Sequence, residues 1–269
     1  MRSPEANLVL QILQSQVACQ LEELNNRIQA LTCPPTVVDP AIRQLQAEKK
    51  VSVRLITTPS EEKTETRFIY CTDFSQTQID EVIQEKAQLL AKHYDLHEEI
   101  GLHGENLVTQ ICQALGYTEV ETRKKSHLTQ DLLEPGIARR DIDVFAKHPT
   151  NGYYQNIQVK NRRAKLETKE VDEFIRTTSI ARLRWKLDIR TAVVAVRTQP
   201  KAASILIAEH IPIAYAGNIY APEKYHDLYE ELNQRLSYGF VITDNPSNSE
   251  PLYKNISQFI LGHNYTKPI

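Results

Sequence analysis

The twenty residues from Asp141 to Lys160 constrain the fold of this chain more than any other stretch. In Asp141-Ile142-Asp143-Val144-Phe145-Ala146, period two puts Ile142, Val144 and Ala146 on one face and both carboxylates on the other. Asn151-Gly152 is a hairpin turn signal. On the returning strand, Tyr154 to Lys160, Ile157 and Val159 oppose Asn156, Gln158 and Lys160. A hairpin of this pattern needs a sheet around it, and it lines up an Asp pair with a Gln-x-Lys pair on adjacent strands.

Two carboxylate-bearing positions and an amide oxygen beside a lysine make a donor set for a hard divalent cation. A Glu from a neighbouring helix would complete it. The segment Gly104 to Leu115 reads as such a helix, with Leu107, Ile111 and Leu115 on its buried face, Glu105 in its first turn and Gly116 just past its end. A Glu there also suits the helix dipole with no further role. Asp141 has two readings, a further cation ligand or an ion-pair partner for Arg139 or Arg140.

The run Gly104-Glu105 opening a helix, then Arg139-Arg140-Asp141-Ile142-Asp143-Val144, then Gln158-Val159-Lys160 resembles the PD-(D/E)xK nuclease superfamily of restriction-endonuclease-like folds. The resemblance covers roughly residues 101 to 217. It implies an α/β core, a central mixed sheet flanked by helices, continued by helix Lys169 to Thr178, strand Thr191 to Arg197, helix Ala202 to His210 and strand Ile211 to Tyr215. It also implies hydrolysis of DNA phosphodiesters, with Mg²⁺, or Mn²⁺ as a substitute, held by Glu105, Asp143 and Gln158, and with Lys160 completing the catalytic set. Gln158 departs from the usual Asp or Glu of the family. A neutral carbonyl attracts a cation less than a carboxylate does, and a nuclease-like fold that binds DNA without cleaving it is the alternative.

Charge placement bears on the partner. The whole chain is nearly neutral, 32 Lys+Arg against 34 Asp+Glu, which excludes a uniformly basic coat. Residues 159 to 190 nevertheless hold 10 basic side chains against 5 acidic ones. Arg162, Arg163 and Lys165 begin this basic stretch immediately after the motif, and Arg123, Lys124 and Lys125 form a cluster upstream. Together with Arg139 and Arg140 these are the candidate phosphate contacts.

Upstream, apolar residues recur at helical spacing from Leu10 to Leu31, predicting one long helix from Asn7, buried in its own domain or serving as a short coiled-coil seam between two subunits. Cys33-Pro34-Pro35 ends it. Asp39-Pro40 starts a helix running to about Lys50, and strands Val51 to Leu55 and Thr66 to Cys71 follow across a polar loop. This order predicts a winged-helix-like domain over residues 1–75, with Arg43 and Lys49 outward on its reading helix. Residues 1–100 carry 10 basic and 15 acidic side chains, so a dimerising or protein-binding wing stays open beside a DNA reader. A regulator with an unrelated α/β sensor domain is a third reading. The spacing predicts a connecting helix over 76–100, and a helix and tail over 218–269 packing on the core.

No apolar run is long enough for a membrane span and no signal-peptide core follows Met1, so the expected compartment is the cytoplasm, with no membrane partner. Cys19, Cys33, Cys71 and Cys112 lack paired spacing and are expected as reduced, buried thiols. His97-Glu98-Glu99 lacks the second His, at position 101, that a zincin helix requires.

Overall fold

The structure, a computed structural model, describes residues 2–32, 38–59, 65–124, 142–239, 242–243 and 250–260. It divides into two compact units, Met1–His97 with Tyr225–Phe240, and Glu98–Lys224 with Val241–Ile269.

The first unit begins with two helices, α1 (Pro4–Gln16) and α2 (Leu21–Leu31), where the periodicity predicts one. The chain leaves helical geometry at Val17 (φ 63°), and β1 (Ala18–Gln20) pairs antiparallel with β3 (Glu65–Cys71). Local apolar spacing cannot register that pairing, which outweighs continued helix. Gln20 then starts α2 with a capping box: its side chain accepts from the Glu23 N–H, and Glu23 accepts from the Gln20 N–H. Helix α3 (Val38–Ala47) and strand β2 (Val51–Thr57) follow, and the sheet order is β1-β3-β2. Leu13, Leu24, Ile28, Ile42, Leu45 and Ile69 are fully buried between these elements.

Helix α4 (Gln76–Asp95), expected as a connector, belongs to this unit. Lys86 on α4 reaches Glu23 at 2.8 and 2.9 Å and the Ala18 carbonyl at 2.7 Å, an ion pair closed off from water. Helix α8 (His226–Leu236) also lies here, against the expectation that everything after residue 218 packs on the second core. Tyr229 packs edge-on to His93, and Arg235 pairs with Glu85, so its apolar and charged contacts are with α4.

The second unit is a mixed α/β layer structure. Its five-stranded sheet has the order β4-β5-β6-β7-β8, from β4 (Thr118–Lys124), β5 (Ile142–Lys147), β6 (Tyr154–Lys160), β7 (Ile189–Ala195) and β8 (Ile213–Tyr215). The pairs β4–β5 and β5–β6 are antiparallel, whereas β6–β7 and β7–β8 are parallel, joined through α6 (Thr168–Trp185) and α7 (Pro200–Ala208). One face of the sheet packs on α5 (His97–Ala114) and α9 (Glu250–Ile260) through Val144, Ile157, Val159, Val108, Ile111, Leu252 and Ile256. The other packs on α6 and α7 through Phe174, Val193, Ala202 and Leu206, with Phe145 against Trp185. Phe145, on the carboxylate face, is therefore core.

Helix α5 starts at His97, two turns earlier than predicted, so Glu105 sits mid-helix and not in the first turn. Gly116 does close the helix with φ 85°, its N–H bonded to the Gln113 carbonyl. Among the described cysteines, Cys19, Cys71 and Cys112 are free and buried, and burial pushes the Cys19 and Cys112 thiols up to about 12. No helix among the described residues is long and apolar enough to cross a membrane.

Candidate functional site

The β5–β6 register fixes the centre of the site. Val144 pairs with Ile157 and Phe145 with Asn156, which puts Asp143 across from Gln158. The Gln158 amide donates to Asp143 Oδ2, and the Val159 backbone N–H donates to the same oxygen at 2.7 Å. Among the described residues Asp143 Oδ1 and Gln158 Oε1 have no hydrogen-bond partner.

Glu105 approaches from α5, and a glycine lets it do so. A Cβ at Gly104 would stand 2.4 Å from the Asn161 Cβ, so only glycine allows α5 this close to the chain leaving β6. Asn161 ties that crossing together: its amide donates to the Ile100 carbonyl at 2.8 Å and the Tyr220 carbonyl at 2.6 Å, and its oxygen accepts from the Tyr220 N–H. One turn beyond Glu105, the Thr109 and Thr122 hydroxyls meet at 2.7 Å and join α5 to β4. The result is a cleft of about 400 Å³ whose walls include Glu105, Asp143, Gln158 and Lys160, all four residues of the sequence-derived set.

Three further charged residues line it. Arg123 of β4 grips Glu105 with two nitrogens, at 2.6 and 3.3 Å. Glu170 of α6 stands 3.4 Å from Lys160 and 2.7 Å from Arg162. Burial opposes ionisation of Glu170, yet the Glu167 N–H and the Lys160 and Arg162 charges hold its carboxyl below the ordinary value. For Asp143 the balance falls the other way. Loss of hydration, with the nearby Glu105 charge, pushes its carboxyl up to about 6 despite Lys160, the Val159 N–H and the Gln158 amide.

Glu170 was not among the residues singled out from the sequence. Its one signal is the Glu167-x-x-Glu170 spacing, a capping box that starts α6 and delivers the side chain to the cleft. Arg162 lines the cleft, Arg163 is half-buried and Lys165 is exposed. Arg43 and Lys49 are exposed in the first unit. Asp141, Arg139 and Arg140 lie outside the described residues, as do Lys125 and Cys33.

Among the described residues no three His, Cys, Asp or Glu side chains converge as a ready cation cage. The cleft offers a leaner set: two carboxylates and the Gln158 amide, two of these three groups with an oxygen left open. Mg²⁺ keeps several of its waters and asks a protein for one or two carboxylates, so the chemistry of the donors fits the ion.

Fold and site together define a two-unit α/β protein with a mixed five-stranded sheet and a cleft of paired acids and bases. No protein-family model and no curated protein matches the chain. Among solved structures it is similar to a repair endonuclease from Pyrococcus abyssi, at 14% identity and a TM-score of 0.28, covering 61% of each chain. It is also similar to an EndoMS–dsDNA complex, at 14% identity and a TM-score of 0.26, covering 61% of this chain and 63% of that one. The chain thus spans less than two thirds of the length of either neighbour.

Proposed function

We propose that the protein is a metal-dependent DNA endonuclease of the PD-(D/E)xK kind, serving restriction, repair or recombination. The observation that carries this reading is the convergence of Glu105, Asp143, Gln158 and Lys160 on one cleft beside Arg123 and Arg162. Mg²⁺, or Mn²⁺ in its place, would be held by Glu105, Asp143 and Gln158 and would supply a water of lowered pKa and a counter-charge to the phosphoryl oxygens.

The chain's own groups account for the rest. Lys160 stands beside Asp143, where its ammonium can orient a water and face developing negative charge. Glu170 holds Lys160 and Arg162 in place. Arg162, Arg163 and Lys165 follow the motif strand directly and are assigned to the DNA backbone. In the first unit, the order α1-β1-α2-α3-β2-β3 with a β1-β3-β2 sheet is read as a winged helix, with Arg43 and Lys49 directed to DNA.

Incubation with supercoiled, linear and branched DNA in Mg²⁺ or Mn²⁺, beside Asp143→Ala and Lys160→Ala, tests the reading. Cleavage by the wild type alone is the expected result, and identical behaviour of all three proteins on every substrate overturns it. One observation favours a second reading, a nuclease-fold module that binds DNA without cutting it: both oxygens of Glu105 are occupied by Arg123. That reading predicts Mg²⁺-independent DNA binding and no product.

A further inference from the structure

Of the three groups assigned to the cation, Glu105, Asp143 and Gln158, Glu105 has both its oxygens taken by a full positive charge. Arg123 Nε donates to Oε2 at 2.6 Å and Nη2 to Oε1 at 3.3 Å, the fork geometry that guanidinium forms with carboxylate. Its third nitrogen, Nη1, reaches Glu98 at 3.0 Å. The Glu105 side chain is 8% exposed and that of Arg123 is 32%, so the guanidinium is on the solvent side and the carboxylate behind it.

The contact is built into the strand. Arg123 has φ 46°, a left-handed conformation that a non-glycine residue keeps only where its surroundings impose it. The Thr109–Thr122 hydroxyl pair clamps the preceding residue to α5. Thr122 faces Val144 and Lys124 faces Ile142, so Arg123 occupies the strand position across from Asp143. A cation held by Glu105 and Asp143 and the guanidinium of Arg123 therefore compete for the same carboxylate.

We propose that Arg123 is a displaceable counter-ion: it neutralises Glu105 until DNA arrives, then transfers its fork to a phosphodiester and frees Glu105 for the cation. The exchange trades one charge-assisted pair for another, since a phosphate accepts the same two-pronged arrangement. Release restores the second carboxylate to the cleft at the moment substrate is present. Cation and DNA then strengthen each other's binding by the same factor, as linkage requires. Arg123 is a positioning residue in this scheme, acting on the reaction through Glu105. The proposal deepens the nuclease reading and rests on it.

The test is Mn²⁺ binding to the full chain, followed by electron paramagnetic resonance with and without a short phosphorothioate-linked duplex, which resists hydrolysis. The wild type should bind Mn²⁺ weakly alone and more tightly with the duplex. Arg123→Gln should bind Mn²⁺ about tenfold more tightly than wild type without DNA, the size of one charge-assisted pair, and gain nothing from the duplex. Adding Glu105→Gln should remove that gain, and Arg123→Lys, which keeps the charge, should stay near the wild type. A folding defect cannot produce tighter binding, so the rise itself separates the proposal from structural damage. If Arg123→Gln binds no more tightly than wild type while Asp143→Asn weakens binding in both, the cation site stands and the Arg123 proposal fails. If no variant binds Mn²⁺ in an Asp143-dependent way, the nuclease reading fails and takes the proposal with it.

Discussion

Glu23 in the first unit and Glu105 in the second are each held by a cation from another element, Lys86 and Arg123 respectively. In the first pair the side chains are 0% and 6% exposed. Lys86 spends its three donors on both Glu23 oxygens and the Ala18 carbonyl, and Glu23 accepts further bonds from Arg27 and the Gln20 N–H. Neither partner has anywhere else to go, so the pair locks β1 and α2 to α4. In the second pair the guanidinium stays partly in water, and a phosphate could satisfy it as well as Glu105 does. The same ion-pair chemistry is thus structural where burial and full satisfaction remove alternatives, and exchangeable where one partner remains wet.

Breaking the buried pair should give the largest effect. Lys86→Ala strands an uncompensated Glu23 and is expected to cost about 3–5 kcal/mol of stability, read as a shifted denaturation midpoint. The double change Glu23→Leu with Lys86→Met should recover most of that loss, because matched apolar groups bring no buried charge. A double variant as unstable as Lys86→Ala would show that packing, not charge, holds the junction.

In the cleft, Asp143→Asn should lower DNA cleavage on the order of 100- to 1,000-fold, as loss of one key electrostatic group does. The same variant sharpens the comparison through stability without metal. The Asp143 carboxyl is raised from 3.8 to about 6, so its stabilising protonated form is fully present below about pH 4 and is lost as pH rises through 6. The amide cannot ionise. Asp143→Asn should therefore melt higher than wild type at pH 7.5 in chelator, with the difference vanishing near pH 4. A variant that melts lower at pH 7.5 would remove the burial argument for that carboxylate.

Gly104→Ala drives a methyl into Asn161 and should cost about 1–3 kcal/mol, with cleavage falling in parallel as α5 is pushed from β6. Full activity at unchanged stability would mean that α5 and the chain leaving β6 part readily enough to admit a methyl group. The smallest effect is expected at the exposed rim. Lys165→Ala should weaken DNA binding evenly across sequences and flatten the log-log salt dependence by about one. An unchanged slope would place Lys165 away from the phosphates.

Much of the cleft was legible beforehand because strand geometry is local. Alternation around Asn151-Gly152 is enough to bring the Asp pair and the Gln-x-Lys pair onto adjacent strands and to direct Ile157 and Val159 the other way. The register that sets Asp143 across from Gln158 comes from a four-residue connection over 149–152, longer than a two-residue Asn-Gly turn. Glu170 was not legible, since it comes from a helix that meets the sheet through a parallel crossover, and its only sequence mark is a capping box. Arg123 stood in a noted basic cluster, but its grip on Glu105 depends on a left-handed residue inside a strand, which no periodicity reports. The single helix expected over 7–31 failed for a related reason. Apolar spacing there suits helix throughout, yet three residues pair with a strand some fifty positions away.

What the sequence determined by itself was periodic: the β5–β6 hairpin and the helix that carries Glu105, which side chains share a strand face, and that acids and bases meet near the motif. Those follow from 2.0- and 3.6-residue repeats, properties of neighbours along the chain. What only the tertiary structure decided was which charges are shut in and which can exchange. That depends on burial and on partners distant in sequence, such as Lys86 for Glu23 and Arg123 for Glu105, and on the removal of water by packing, which no local pattern encodes.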